Sequence, residues 1–215
     1  MIILIAGDTH TGKTLLAQRL LEYYKYPYLS IDHLKMGLIR SGQCGLSADS
    51  SDAELTEYLW PIVREMIKTC IENSQNQIVE GCYIPFGWEK DFSLEDLRQI
   101  KYICLIFSKK YIETHLDDIL RFEKVIEKRL SSDVILDEII KTNEYNLEQC
   151  VLRHYNHILI DDTYQIDIDC ILFFDWNIVV LNICSNFAFR RVICSIAPQN
   201  TEIRTVAKLL LLFLK

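Results

Sequence analysis

The chain has 215 residues, half of them hydrophobic, and its 30 acidic and 23 basic side chains give a formal net charge of −7. That length is enough to bury a full core as one domain with room for a mobile lid, and the negative balance argues against a nucleic-acid backbone as the main partner. The eight cysteines contain no C-x-x-C pair, and His154 and His157 have no cysteine partners at zinc spacing, so no metal-finger pattern is present.

Ile2 to Ala6 is an unbroken apolar run, the pattern of a strand buried on both faces. Residues 7–14 then read Gly-Asp-Thr-His-Thr-Gly-Lys-Thr, a complete G-x-x-x-x-G-K-[ST] phosphate loop. Leu16, Leu20 and Tyr23 or Tyr24 follow at the spacing of a helix over about 13–25 that packs one face on a sheet. Pro27 opens a short second strand, Tyr28–Ile31, which ends at Asp32; a helical turn covers Leu34–Ile39, and a Ser/Gly/Asp-rich loop spans 41–51. Ser51 and Glu54 have the spacing of a capping box, and Leu55, Leu59, Ile62, Val63, Met66, Ile67 and Cys70 form one apolar stripe. Pro61 predicts a kink or restart in that helix.

The third strand is Gln77–Glu80, followed by a Gly/Pro-containing loop to about 92 and a single helical turn at Ser93–Arg98. Tyr102–Phe107 reads as the fourth strand. A long helical pattern from 109 to 130 has Ile112, Leu116, Ile119, Ile126 and Leu130 on one face; a further helix covers 133–152, and His157–Ile160 is the fifth strand. Strands alternating with helices predict an α/β fold, a parallel sheet with helices on both faces. The domain ends near 165. The segment 166–215 differs in composition: between Cys170 and Phe189 the only charge is Asp175, and Val206–Leu214 is nearly all apolar. Neither stretch reaches the ~18 uninterrupted apolar residues of a membrane span. A packed extra element or oligomer contact is the expectation for this tail; a membrane anchor and an altered reading frame are the alternatives. With no signal peptide read at the start, and with cysteines such as Cys70, Cys104 and Cys184 inside apolar runs, the expected compartment is the reducing cytoplasm.

The chemistry follows from the loop. Backbone N–H groups of Gly7, Asp8, Thr9, His10, Thr11, Gly12, Lys13 and Thr14, with the positive end of the next helix, form a cradle for a polyphosphate. Lys13 reaches the β- and γ-phosphates, Thr14 is a magnesium ligand, and the His10 side chain is assigned no chemistry. In an open parallel sheet, ligands sit beyond the carboxyl ends of the strands, which selects Asp32, Glu80, Asp161 and Asp162. Glu80 is read as an acid that holds magnesium directly or through water, and Asp32 as the group that approaches an acceptor hydroxyl; a helix N-cap is the structural alternative for each. Asp161 and Asp162 read as turn residues. Lys35, Arg40 and Tyr83 are candidates for acceptor binding, and Arg129 or Arg121, in a lid over about 109–133, for neutralising the transferring phosphoryl group.

These residues resemble the small P-loop kinases, the superfamily of adenylate, shikimate and gluconate kinases and chloramphenicol phosphotransferase. The resemblance covers about residues 1–165 and is carried by Gly7–Thr14, Tyr28-Leu29-Ser30-Ile31-Asp32 and Ile78-Val79-Glu80-Gly81. It is closer still to bacterial proteins described as adenylate-kinase-like or 2-phosphoglycerate-kinase-like. It implies a P-loop NTPase fold with strand order 2-3-1-4-5, a helical lid after the fourth strand, Mg-ATP as phosphoryl donor, and Asp32 as base or substrate anchor. Adenylate kinases follow the third strand with Asp-Gly-Phe-Pro-Arg, whereas this chain has Glu80-Gly81-Cys82-Tyr83-Ile84-Pro85-Phe86, without the arginine, and it also lacks their arginine-rich lid motif. The expectation is therefore a small-molecule kinase whose acceptor is a nucleotide or, favoured by these departures, a hydroxylated or phosphorylated metabolite. Two other readings remain: a nucleotide-dependent NTPase or switch acting on a protein, although no guanine-recognition N-K-x-D motif is evident, and a toxin-like kinase of sugar nucleotides.

Overall fold

A computed structural model of the chain describes residues 1–122, 136–168 and 171. In chain order its elements are β1 (Ile2–Gly7), α1 (Lys13–Tyr24), β2 (Tyr28–Ser30), α2 (Ile31–Arg40), α3 (Asp52–Glu72), β3 (Gln77–Glu80), α4 (Leu94–Leu97), β4 (Ile100–Phe107), α5 (Lys109–Phe122), α6 (Leu136–Leu152) and β5 (His157–Ile160). A 3-10 turn covers Trp88–Asp91. The five strands are all parallel, in the order β2-β3-β1-β4-β5. β1 is central because Ile2, Ile3, Leu4 and Ile5 are wholly buried, which a strand achieves only with neighbours on both edges and cover on both faces.

Alternation along β1 splits its side chains between two layers. Ile2, Leu4 and Ala6 join a core with Leu55, Leu59, Val63 and Ile67 of α3 and the aromatic residues Tyr83, Trp88, Phe92 and Tyr102. Ile3 and Ile5 lie outside that cluster, as do Leu16, Ala17 and Leu20 of α1, which packs on β1, β2 and β3. Ile3 pairs with Ile78 and Ile5 with Glu80, so Glu80 continues the α1 face at the carboxyl end of β3. The register thereby delivers an acid to the side of the sheet that the phosphate loop occupies.

β2 ends one residue earlier and β4 begins two residues earlier than the sequence suggested, and three helices differ further. α2 begins at Ile31, directly from β2, with Ser30 as N-cap, rather than at Leu34. α3 runs through Pro61 as one element: its buried residues Leu55, Leu59, Trp60, Val63, Ile67 and Ile71 lie on both sides of the proline and anchor both halves to one core. That burial also rotates the stripe, leaving Met66 at 40 % exposure. α5 contains a break at His115 (φ −124°, ψ 21°), where the ring stacks on Tyr111 at a centroid distance of 4.3 Å.

The chain divides into two compact units, Met1–Gln165 and Ile166–Lys215. All the elements named above belong to the first. Residues 123–135, 169–170 and 172–215 lie outside the described residues, and with them Arg129, part of the expected lid, and the two apolar stretches of the tail. No helix among the described residues is long and apolar enough to cross a membrane.

Candidate active site

The loop between β1 and α1 is built to receive an anion. α1 starts at Lys13 with Gly12 as N-cap, a residue with no side chain to accept from the first N–H groups, and its first turn contains no acid. By contrast α3 and α4 both carry complete capping boxes, Ser51 with Glu54 and Ser93 with Asp96. An uncapped helix start exposes donors and the positive dipole end to a ligand. Gly12 is required twice over: its φ is +81°, and a Cβ there would lie 2.4 Å from the Tyr164 hydroxyl, which donates to the Gly12 carbonyl at 3.0 Å. His10 also takes a left-handed φ of 65°, a strained position for a residue with a side chain.

The loop's carbonyls are tied back. Asp8 O accepts from Thr11 Oγ1 at 2.7 Å and from Lys13 Nζ at 2.6 Å, and the Asp8 carboxylate accepts from Thr9 N–H at 2.7 Å. Lys13 is only 6 % exposed. Burial works against its charge, but neighbouring Cys82, Glu80 and Asp32 outweigh that and raise its pKa, so the lysine is a cation. Burial raises the Asp8 carboxyl to about 6, against the lowering effect of the Thr9 N–H and Lys13.

The strand ends bring the acceptor-side candidates to the same place. Glu80 is 1 % exposed and pairs in register with Ser30, whose Oγ is buried without a hydrogen-bond partner among the described residues. Gly81 allows the exit of β3 to pass against α2, because a Cβ there would meet Ile31 Cβ at 2.8 Å. Asp32 is in the first turn of α2 and is not its N-cap; its Oδ1 accepts from Lys35 Nζ at 2.7 Å. Lys35 donates also to the Tyr83 hydroxyl at 2.8 Å, with its Nζ 4.9 Å from the centre of that ring. Burial opposes the charge of Lys35, but its bonds to Asp32 and Tyr83 outweigh burial and raise its pKa. The structure therefore joins Asp32, Lys35 and Tyr83 in one cluster and brings Asp32 and Glu80 into electrostatic reach of Lys13.

Other candidates are not brought together. Arg40 is exposed in the last turn of α2, about 12 Å along the helix axis from Asp32. Arg121 is exposed in the last turn of α5. Asp161 and Asp162 are exposed and bind Lys110 at the start of α5, Asp161 at 3.7 Å and Asp162 in closer contact. Three residues of the site had no signal in the sequence. Tyr164 reaches Gly12 from 152 positions away. Asn143 on α6 donates to Asp8 Oδ2 at 3.2 Å. Cys82 hydrogen-bonds Lys13, and burial raises the pKa of its thiol.

The donor set fits a hard cation. Thr14, Glu80 and the orphaned Ser30 hydroxyl are all oxygen donors, and among the described residues no group of three His, Cys, Asp or Glu side chains forms a metal cage. Magnesium is typically held this way, by one or two protein oxygens together with phosphates and water.

The parallel order 2-3-1-4-5, with a glycine loop leading from the central strand into an uncapped helix, defines an α/β fold of the P-loop NTPase type. No family model matches the chain, and no curated protein matches it. Among solved structures it is similar to a kinase candidate from Chloroflexus aurantiacus (18 % identity, 79 % of this chain and 90 % of that one, TM-score 0.48). It is also similar to a sugar kinase from Janibacter sp. (12 %, 74 % and 84 %, 0.45) and to shikimate kinase from Bacteroides thetaiotaomicron (16 %, 75 % and 85 %, 0.41).

Proposed function

We propose that the protein is a Mg-ATP-dependent phosphotransferase that moves the γ-phosphate to a hydroxyl of a small molecule. The observation that supports this most is that Glu80 and Asp32 lie within electrostatic reach of Lys13, as a loop that binds ATP beside an acid serving the acceptor would require. Lys13 and the N–H groups of the loop and α1 bind the polyphosphate and stabilise charge developing on it. Thr14 and Glu80 would hold magnesium, which would supply further neutralisation of the phosphate oxygens. Asp32 orients the acceptor hydroxyl and takes its proton as the oxygen bonds to the γ-phosphorus; the bond from that phosphorus to the β-phosphate oxygen breaks, and ADP leaves. Lys35, braced by Tyr83, holds the Asp32 carboxylate and presents a cation to the acceptor. That cation, and the lack of an arginine in residues 80–86, favour a hydroxylated or phosphorylated metabolite over a nucleoside monophosphate.

The test is ADP release from Mg-ATP with and without pooled acceptors: nucleotides, nucleosides, phosphoglycerates, sugars and aminoglycosides, with Lys13→Ala as blank. Acceptor-dependent release that disappears in the blank is expected. Release that ignores every pool but vanishes in the blank would replace the reading by an NTPase or switch.

A further inference from the structure

One buried side chain of α6 reaches the phosphate loop and has no part in the chemistry above. Asn143, 1 % exposed, spends its polar atoms on three neighbours. Its Oδ1 accepts from the N–H of Phe107, the last residue of β4, at 2.9 Å; its Nδ2 donates to the Ile139 carbonyl at 2.9 Å and to Asp8 Oδ2 at 3.2 Å. A buried amide needs its bonds satisfied; the bond from Phe107 ties α6 to β4, and the one to Ile139 stays within α6. The third falls on a carboxylate inside the phosphate loop, 135 positions away.

Asp8 is the hub of that loop. Its second carboxylate oxygen holds Thr9 N–H, and its carbonyl holds both Thr11 Oγ1 and Lys13 Nζ. Any tilt of the Asp8 side chain therefore turns the 8–9 peptide and moves the resting place of the phosphate lysine. A carboxylate in a loop that receives a polyphosphate is also a repulsive charge unless N–H donors hold it in place. Asn143 supplies such a donor from a rigid helix.

We propose that Asn143 is a positioning residue of the phosphate site: by pinning the Asp8 carboxylate it fixes the loop conformation in which the N–H groups of residues 10–14 and Lys13 bind polyphosphate. The inference rests on the reading of this loop as a nucleotide site. Its consequence is that α6, remote in sequence, sets nucleotide affinity without touching nucleotide.

The test is the dissociation constant of Mg-ADP, measured by calorimetry on the full chain for wild type, Lys13→Ala, Asp8→Asn, Asn143→Ser and the double variant, alongside the thermal midpoint of each without ligand. Asp8→Asn keeps the size and the bond to Thr9 but sets a donor against the Asn143 amide. Each single variant is expected to weaken Mg-ADP roughly tenfold, and the double variant no more than the weaker single, because both break one link. A merely structural role would lower the midpoint and leave the dissociation constant of the folded protein at the wild-type value; that result overturns the inference, as do effects that multiply in the double variant. If Asn143→Ser fails to fold, Asp8→Asn alone decides, and wild-type affinity there overturns the inference. Wild type that does not bind Mg-ADP, or binds it equally in Lys13→Ala, overturns the nucleotide reading itself, a failure distinct from the others.

Discussion

Lys13 and Asp8 are buried groups whose charge states are set by the protein around them rather than by water, and Asp32 is paired with Lys35 at 2.7 Å. Asp32→Asn, which removes the proposed base, should cut phosphoryl transfer by roughly 10²- to 10⁴-fold while Mg-ADP affinity changes by less than threefold; intact transfer in that variant would refute the base assignment. Lys35→Met should raise the acceptor KM and also lower kcat, since it removes the proposed acceptor-side cation and releases the Asp32 carboxylate that Lys35 holds at 2.7 Å. Asp8 makes a prediction for stability. Its folded pKa, about 6, is raised above the ordinary carboxylate value by burial, and Lys13 of α1, Asp52 of α3 and Cys82 are the titratable groups it faces. The folded state therefore binds the proton more tightly than the unfolded state, so this stabilising contribution is complete in acid and is lost as pH rises through 6. Thermal midpoints of wild type minus Asp8→Asn should accordingly grow as pH falls from 7 to 4; a constant difference would mean that Asp8 is not raised. Of these residues, Lys13 and Asp32 were legible in the sequence because a motif and a strand end mark them. Asp8 was legible only as a loop position, since its burial comes from elements distant in sequence.

Helix starts in this chain divide by purpose. α3 closes its own first turn with Ser51 and Glu54, and Ser51→Ala should cost about 1 kcal/mol and lower the midpoint by roughly 2–4 °C without altering activity. α1 starts without a side-chain cap, and Tyr164 donates to the carbonyl of its N-cap, Gly12. Gly12→Ala should abolish Mg-ADP binding, because the methyl group would occupy the place of the Tyr164 hydroxyl at a φ that disfavours side chains. The capping box and the spans of β3 and β5 were readable from residue types alone, being local. The continuity of α3 through Pro61 and the break at His115 were not. A proline's effect on a helix depends on whether both flanking turns are anchored in a core, and His115 is placed by its stack on Tyr111 rather than by propensity.

Across the unit Met1–Gln165, ligand and fold are thermodynamically linked. A nucleotide that binds only the folded state stabilises it by about 2.7 kcal/mol at a hundred times its dissociation constant. Mg-ADP should therefore raise the thermal midpoint of wild type by several degrees and leave that of Lys13→Ala unmoved; an equal rise in both would place binding away from the loop. The loop after β3 is part of the same unit's core rather than a separate flap. Phe86 stacks on Tyr155 at 6.2 Å and Trp88 on Tyr102 at 5.6 Å, while Gly87 N–H donates to the Tyr155 hydroxyl at 2.9 Å. This anchoring explains why Tyr83 holds Lys35 in a fixed place: the chain on its C-terminal side cannot drift.

By itself the sequence determined the alternation of strand and helix, the phosphate loop between β1 and α1, and the acids at the ends of β2 and β3, because hydrophobic period, glycine placement and strand termini are local properties. Only the tertiary structure decided which of those groups meet. The pairing of Ser30 with Glu80, the Lys35 bridge from Asp32 to Tyr83, and the contacts of Asn143 and Tyr164 with the loop join residues as many as 152 positions apart. Sheet register and helix packing set those distances, and no spacing along the chain records them.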